Sequence, residues 1–327
     1  MELLAGALRV DVMGKDLWMW MLFLALVLTL LALDLGVLHK ERREISIKES
    51  LILSAGYIVI ALIFGAWVWW SMGKVSGINY LTGYFVEKSL SMDNIFVISL
   101  IFSYFGIPRL YQHRVLFWGI LGVIILRAIM IGVGATLVER FEWILFIFGG
   151  FLVLTGIKML FSADHDPDMT DNAFLKFLRN HIAVTDRLHG EKFFVTEKNP
   201  VTGKTARLAT PLFLALIMVE GADIVFAVDS IPAIFAITTD TYIVYTSNIF
   251  AILGLRALYF ALAAMVSRFI YLKYALSAVL IFIGGKIFWS HFVGKVDPLV
   301  SLTVTLVLLA GGVVVSLLKT KPVEAGP

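Results

Sequence analysis

Nine apolar stretches, each about as long as the roughly 20 residues that a helix needs to cross a bilayer, constrain the fold of this 327-residue chain more than any other feature. They cover residues 17–38, 51–71, 81–104, 114–137, 143–160, 211–237, 242–266, 275–292 and 299–318. The mean hydropathy is +0.91, and 60% of the residues are hydrophobic. Because a strand of a membrane barrel needs only about ten residues, the sequence predicts an all-α polytopic membrane protein with about nine transmembrane helices.

The distribution of Lys and Arg predicts the orientation of these helices. If the N-terminus is outside, 17 basic side chains fall in cytoplasmic segments, 5 in external segments and 5 within the spans. Because cytoplasmic loops of membrane proteins are enriched in basic residues, the chain is expected to be N-out and C-in. The net charge of +3 reflects these loops and not a nucleic-acid partner. A multi-pass protein of a bacterial-type inner membrane is the expected localisation.

Segments in the two halves of the chain resemble each other in the same order. Residues 86–94 match 219–230, residues 119–128 match 248–257, and residues 154–158 match 283–286. Each repeat unit contains three spans, and three is odd, so the second unit must cross the membrane in the inverted direction. The sequence therefore predicts the inverted 3+3 repeat typical of secondary transporters, with a binding site near the bilayer midplane.

The repeat divides the chain into five predicted parts. They are two N-terminal helices in 1–80, a first repeat in 81–160, a cytoplasmic loop in 161–209, a second repeat in 210–293, and a final helix with its tail in 294–327. The loop carries three His residues and seven acids. We expect a solvated linker with a short amphipathic helix around residues 172–182, with sensing of cytosolic metal as the alternative.

Carboxylates inside the apolar spans are the main functional signal. A charged side chain at bilayer depth costs about 2.5–3.5 kcal/mol on insertion scales, and such residues usually mark ion pathways. Carboxylate and amide oxygens suit hard cations such as Mn²⁺, Mg²⁺ and Ca²⁺. The predicted metal ligands are Glu87, Asp93, Asn94, Glu220, Asp223 and Asp229, with Asp34, Asn248 and Ser230 as auxiliary candidates. Gly221 and Pro232 predict a break in the helix that lets the acids of the second repeat converge.

Basic residues inside the spans are expected to balance part of this negative charge. The predicted structural charge partners are Arg127, Arg256, Lys158 and Lys286, which occupy matching positions in the two repeats. Lys88 stands beside Glu87 but on another face of its helix, and the sequence gives it no role. Because a cation that binds buried carboxylates expels their protons, we expect metal movement to be coupled to protons.

Two long strings of residues identify the chain as resembling a known family. Residues 82–97 read TGYFVEKSLSMDNIFV, and residues 219–236 read VEGADIVFAVDSIPAIFA. Both are similar to the TerC family, and specifically to its Alx-type members, and the resemblance covers nearly the whole chain. It implies a manganese exporter whose acidic positions correspond to Glu87, Asp93, Glu220, Asp223 and Asp229.

The sequence excludes several other classes of protein. It has no cysteine, so thiolate metal sites, disulfides and thiol redox chemistry are excluded. It has none of the motifs of hydrolases or nucleotide-binding enzymes, so no enzymatic activity and no tightly bound cofactor are expected. The predicted function is export of a divalent metal, most of all Mn²⁺. The alternatives are an accessory factor that loads metal onto other proteins or assists their insertion or secretion, and an H⁺ or Na⁺ carrier for alkaline pH homeostasis. A homo-oligomer and a membrane or secretion partner are left open.

Overall fold

The computed structural model describes residues 10–36, 47–141, 143–161, 173–185, 187–198, 205–262, 271–294 and 296–320. This part of the chain contains eleven α-helices and two short antiparallel hairpins. The hairpins pair β1 (Asp11–Val12) with β2 (Lys15–Asp16), and β3 (Phe194–Lys198) with β4 (Thr205–Ala209). The helices are α1 (Leu17–Gly36), α2 (Ile47–Met72), α3 (Lys74–Tyr104), α4 (Arg109–Arg140), α5 (Ile144–Phe161), α6 (Ala173–His181), α7 (Pro211–Phe235), α8 (Thr241–Leu253), α9 (Leu255–Leu262), α10 (Leu272–Phe292) and α11 (Pro298–Lys319).

Seven helical stretches in the described residues are long and apolar enough to cross a membrane. They are α2, α4, α5, α7, α10, α11 and the stretch Thr241–Ala261, which comprises α8 and most of α9. The all-helical, multi-pass membrane fold is therefore confirmed. The other two predicted spans correspond to α1, whose apolar part Leu17–Leu33 is shorter, and to α3, which carries Glu87 and Lys88 near its middle. The count of nine spans stays a prediction.

A single residue, Gly254, separates α8 from α9. Lys88 Nζ donates a hydrogen bond of 3.1 Å to the carbonyl oxygen of Ala251, which an uninterrupted helix would offer to the N–H of residue 255. A Cβ atom at Gly254 would lie only 2.8 Å from this ammonium group. The Lys88 ammonium group therefore takes the place of a backbone N–H where the helix is interrupted. The sequence did not predict this position for Lys88.

Helix α7 is continuous from Pro211 to Phe235, so the break expected between Gly221 and Pro232 is wrong. Pro232 lies in the last turn of the helix, and it is buried together with Ser230, Ile231 and Phe235. Tertiary packing on several sides holds this turn in place, as membrane proteins commonly do for prolines within helices. The acids of α7 therefore keep the relative directions that a regular helix gives them.

Four helices form the centre of the bundle: α3 packs against both α7 and α8, and α4 packs against the same two helices. Among the described helices, α5 and α10 make the most extensive contact with each other. A Cβ atom on Gly149 would lie 3.1 Å from the carbonyl oxygen of Gly284, and one on Gly284 would lie 2.6 Å from the carbonyl oxygen of Gly149. Further along the same pair, the Ser277 hydroxyl donates to the carbonyl oxygen of Gly156. Small residues thus bring the two backbones together, as is usual for helices in membranes.

The predicted amphipathic helix in the long loop is confirmed as α6. Its apolar side chains Leu175 and Leu178 are 2% and 6% exposed and belong to the hydrophobic core formed with α3, α4 and α7. Phe174 lies over Gly221 of α7, where an added Cβ would come within 2.8 Å of its ring. The described part of the loop therefore packs against one end of the helix bundle. Most of its acids (Asp164, Asp166, Asp168, Asp171 and Asp186) and His165 lie outside the described residues.

Candidate functional site

The most deeply buried charged group in the described part of the chain is the guanidinium of Arg127, which is 1% exposed in the middle of α4. Five oxygen atoms from three other helices accept hydrogen bonds from it. They are Asp223 Oδ1 at 2.9 Å and Oδ2 at 3.2 Å, Asn248 Oδ1 at 3.1 Å, Ser230 Oγ at 3.2 Å, and Glu87 Oε1. This group of side chains is called the Arg127 cluster below.

The Arg127 cluster contains two carboxylates and one guanidinium. Glu87 is 2% exposed and Asp223 is 6% exposed, so two carboxylates share one guanidinium out of contact with water. The Asp223 pair is bidentate, the geometry in which guanidinium and carboxylate bind most strongly. Asn248 Nδ2 also donates to Glu87 Oε2 at 3.0 Å, which fixes the second oxygen of that carboxylate. With both acids ionised, the cluster carries one net negative charge.

The helical repeat explains how α7 contributes twice to the cluster. Asp223 and Ser230 are seven residues apart, which is close to two turns of a helix, so both lie on the same face. Glu87 comes from α3 and Asn248 from α8. Helix α3 contacts both α7 and α8. The structure thus brings together four of the predicted or auxiliary site residues and one predicted charge partner.

Glu220 lies one turn before Asp223 and contacts α4 directly. A Cβ atom at Gly122 would come within 2.0 Å of Glu220 Oε1, so the carboxylate lies against the bare backbone of that glycine. Its Oε2 atom is buried and has no hydrogen-bond partner, and the same is true of Asn94 Oδ1. Asn94 and Asp223 both line a cavity of about 40 Å³, whose other walls are mainly apolar. Two predicted ligands, Glu220 and Asn94, therefore have buried oxygen atoms without hydrogen-bond partners beside the cluster.

Asp229 takes a different direction from the rest of α7's acids. Six residues separate it from Asp223, which places the two about 120° apart around a regular helix. Its Oδ1 accepts a hydrogen bond of 3.3 Å from Thr155 of α5, and Lys158 lies within electrostatic range. Lys286 on α10 instead donates to Ser301 of α11 at 3.4 Å. The side chains of Asp34, Asp93 and Arg256 lie outside what the structure describes.

No three Asp, Glu or His side chains converge in a metal-binding arrangement among the side chains that the structure describes. In the described cluster the two carboxylates are bound to Arg127 instead. The roles of the six predicted ligands therefore stay predictions. Sequence reasoning missed Gly122, although a small residue at a position facing α7 is a usual sign of close helix contact.

A large cavity lies at the end of the bundle opposite to α6. It has a volume of about 1340 Å³ and extends among α4, α5, α7 and α10. Its wall includes Glu139, Lys286, Ser290 and His291 as polar groups. Between this cavity and the Arg127 cluster, the ring of Phe235 lies against Gly134, where an added Cβ would be 2.8 Å away. The bundle is thus open towards one end and covered by α6 at the other.

Comparison with known proteins places the chain in a family. The description "Integral membrane protein TerC family" matches residues 72–324. The chain is 50% identical over 303 residues, 93% of each chain, to "Uncharacterized membrane protein STKORF319" of Myxococcus xanthus. It is 48% identical over 305 residues, 93% of this chain and 99% of the other, to an "Uncharacterized membrane protein" of Rickettsia bellii. It is 45% identical over 285 residues to "Putative membrane-bound redox modulator Alx" of Escherichia coli, which covers 84% of this chain and 86% of that protein.

No solved structure matches the chain. The family match covers well over half of the sequence, and the relatives keep at least 45% identity along most of their length. This chain belongs to the TerC family of integral membrane proteins.

Proposed function

We propose that this protein exports divalent metal ions, Mn²⁺ above all, from the cytoplasm across the bacterial inner membrane. The observation that carries the proposal is the group of hard oxygen atoms buried where α3, α4, α7 and α8 meet. Carboxylates, an amide and a hydroxyl are the ligands that hard divalent cations prefer. Such groups are costly at bilayer depth and usually mark an ion pathway.

The unused oxygen atoms next to the cluster also support a cation pathway. Glu220 Oε2 and Asn94 Oδ1 are buried without partners, and a buried polar atom without a partner is destabilising by about 1–3 kcal/mol. A cation bound next to either atom would satisfy it. Asn94 and Asp223 also line a common cavity of about 40 Å³.

Contacts between α5 and α10 support an inverted repeat as the framework for transport. The matched segments pair Gly149 with Ser277 and Gly156 with Gly284, at a constant offset of 128 residues. A two-fold axis between the halves would convert the Gly149–Gly284 contact into a Gly156–Ser277 contact, and both contacts are present. The same axis would exchange the packing of α3 on α8 with that of α4 on α7, and both of these contacts are present.

The two ends of the bundle fit an alternating-access cycle. With the expected N-out, C-in orientation, the 1340 Å³ cavity faces outside and α6 covers the cytoplasmic end. This arrangement corresponds to a conformation that is accessible from outside and closed to the cytoplasm. Proton coupling is part of the proposal, because a carboxylate that is protonated before the metal ion arrives must lose its proton to bind the ion.

The name of the Escherichia coli relative refers to redox modulation. In this chain a redox role cannot use thiols of its own, because it contains no cysteine. A change in cellular Mn²⁺ would alter redox chemistry indirectly, and this makes the relative's name compatible with metal export.

The test is divalent-ion flux in proteoliposomes that contain the purified full-length protein. We expect Mn²⁺ flux in the wild type and loss of it in Asp223→Asn and Glu220→Gln. The matched control is Asp297→Asn, because Asp297 begins α11 through a hydrogen bond to the N–H of Leu299 and asparagine is an equally good helix cap. Flux of H⁺ or Na⁺ without any divalent ion would favour the pH-homeostasis carrier. No flux of any ion from folded protein would contradict autonomous transport and favour the accessory function in metal loading or membrane insertion.

A further inference from the structure

The oxygen atoms around Arg127 are of the kind that a transported metal ion would need. Two carboxylates, an amide carbonyl and a hydroxyl provide five acceptor atoms around one guanidinium. Hard divalent cations take about six such oxygen ligands. The guanidinium is therefore bound by the same kinds of oxygen ligand that a divalent cation would take.

We propose that Arg127 is a tethered resident cation that competes with the transported metal ion for Glu87 and Asp223. This inference rests on the proposed function, and it adds a rule for how the site is loaded and emptied. Metal and guanidinium alternate on the same carboxylates, so Arg127 must leave for the metal to bind and its return expels the metal. Arg127 is thus a positioning residue that lowers affinity and permits release.

Charge makes the two cations mutually exclusive on these carboxylates. The two carboxylates balance one divalent ion, but a guanidinium added to that pair would leave an uncompensated positive charge. Like charges a few ångströms apart repel strongly when water does not screen them. The cluster is too buried for water to screen this repulsion, since Arg127 and Glu87 are 1% and 2% exposed.

The neighbouring turn of α7 offers a second acceptor for the displaced guanidinium. Glu220 lies one turn before Asp223 on α7 and keeps a buried carboxylate oxygen without a partner. Gly122, one turn and a half before Arg127 on α4, lies against this carboxylate. A shift of Arg127 from Asp223 towards Glu220 would free the first carboxylate and satisfy the second.

Substitution of Arg127 should therefore increase metal affinity, a result that loss of a purely structural residue would not produce. Glutamine keeps hydrogen-bonding groups but removes the charge, so Arg127→Gln should bind Mn²⁺ more tightly and transport it more slowly. Lysine keeps a charge but cannot form the bidentate pair with Asp223. Arg127→Lys should therefore compete less well than arginine and give an intermediate affinity.

The experiment is calorimetric titration of the purified full-length protein in detergent with MnCl₂, paired with flux measurements on the same variants. We expect the Kd of Arg127→Gln to fall by about tenfold, within the range usual for coupled sites, while its flux decreases. The matched control is Lys88→Met, which removes a buried cation from α3 that donates to a backbone carbonyl and not to the Arg127 cluster. Its Kd should equal that of the wild type.

An Arg127→Gln variant whose Kd is unchanged or higher, beside a wild type that binds Mn²⁺, would overturn the tethered-cation proposal and leave the exporter intact. If the glutamine variant does not fold, Arg127→Lys provides the test. A Kd of the lysine variant no lower than that of the wild type would contradict competition between Arg127 and the metal ion. A wild type that neither binds nor transports Mn²⁺ would overturn the proposed function and this inference with it.

Discussion

Substitution of Gly284 by alanine tests the close contact between α5 and α10. The new Cβ would lie 2.6 Å from the Gly149 carbonyl oxygen and 3.0 Å from Leu152 Cβ. A backbone atom cannot turn aside as a flexible side chain can, so the helices must separate, and overpacking of this kind costs about 1–3 kcal/mol. Alanine also gains about 1 kcal/mol over glycine within a helix. Gly285 is the matched control, because a Cβ there would meet no atom within 4 Å.

The two variants share the gain in helix propensity, so the difference between them isolates the cost of overpacking. We expect Gly284→Ala to be less stable than Gly285→Ala by about 1–3 kcal/mol, with Gly285→Ala as stable as the wild type or more so. The assay is equilibrium unfolding in mixed micelles, with SDS as the denaturant and helix content as the signal. Equal stability of the two alanine variants would refute the α5–α10 packing, and with it the reciprocal contact that supports an inverted repeat.

Two further predictions concern α6 and the Arg127 cluster. Gly221→Ala would place a Cβ 2.8 Å from the ring of Phe174, so we expect faster hydrogen exchange in the backbone of α6, measured by mass spectrometry. A second substitution, Phe174→Ala, should restore the wild-type exchange rate. An unchanged exchange rate in Gly221→Ala would contradict the contact. Asp223→Ala removes the bidentate acceptor of Arg127 and leaves two of its buried N–H groups without partners, so it should destabilise the protein by at least about 1–3 kcal/mol. The triple variant Glu87→Leu, Arg127→Met and Asp223→Leu should recover wild-type stability in the same SDS assay and lose Mn²⁺ flux. A triple variant less stable than Asp223→Ala would contradict this account of the cluster.

The helices were predictable because their cause is local. A bilayer requires every backbone polar group to be satisfied within the segment, so a run of about 20 apolar residues determines its own secondary structure. Each of the nine predicted spans therefore coincides with helical structure in the described residues, and Gly254 interrupts the helix only in the span predicted at 242–266. The amphipathic helix α6 was also predictable from local sequence, because the spacing of Leu175 and Leu178 places both side chains on one face of a helix.

The pairing of charges was not predictable to the same degree. Sequence reasoning identified Arg127 as a charge partner, but it could not choose among six acids within the spans, because the choice depends on how each helix is rotated. A continuous α7 directs Asp223 towards α4 and Asp229 towards α5, whereas a broken helix would have allowed them to meet. The hydrogen-bond partner of Lys88 could not be predicted, because it is a backbone carbonyl of α8 and no sequence pattern marks a backbone acceptor.

Stability alone does not explain why the Arg127 cluster is buried. Removal of charges from water costs several kcal/mol per ion, and apolar residues of similar volume often stabilise a protein as well as a buried ion pair or better. A cluster retained only for stability would also be expected to balance its charges, yet two carboxylates here share one guanidinium. When both acids are ionised, the described side chains of the Arg127 cluster keep a deficit of one positive charge, and Glu220 and Asn94 hold buried oxygen atoms without hydrogen-bond partners. A site that binds a cation only transiently requires such a deficit. A fully neutralised cluster would have no affinity for a cation, whereas a pair of carboxylates without Arg127 would hold a divalent ion too tightly to release it.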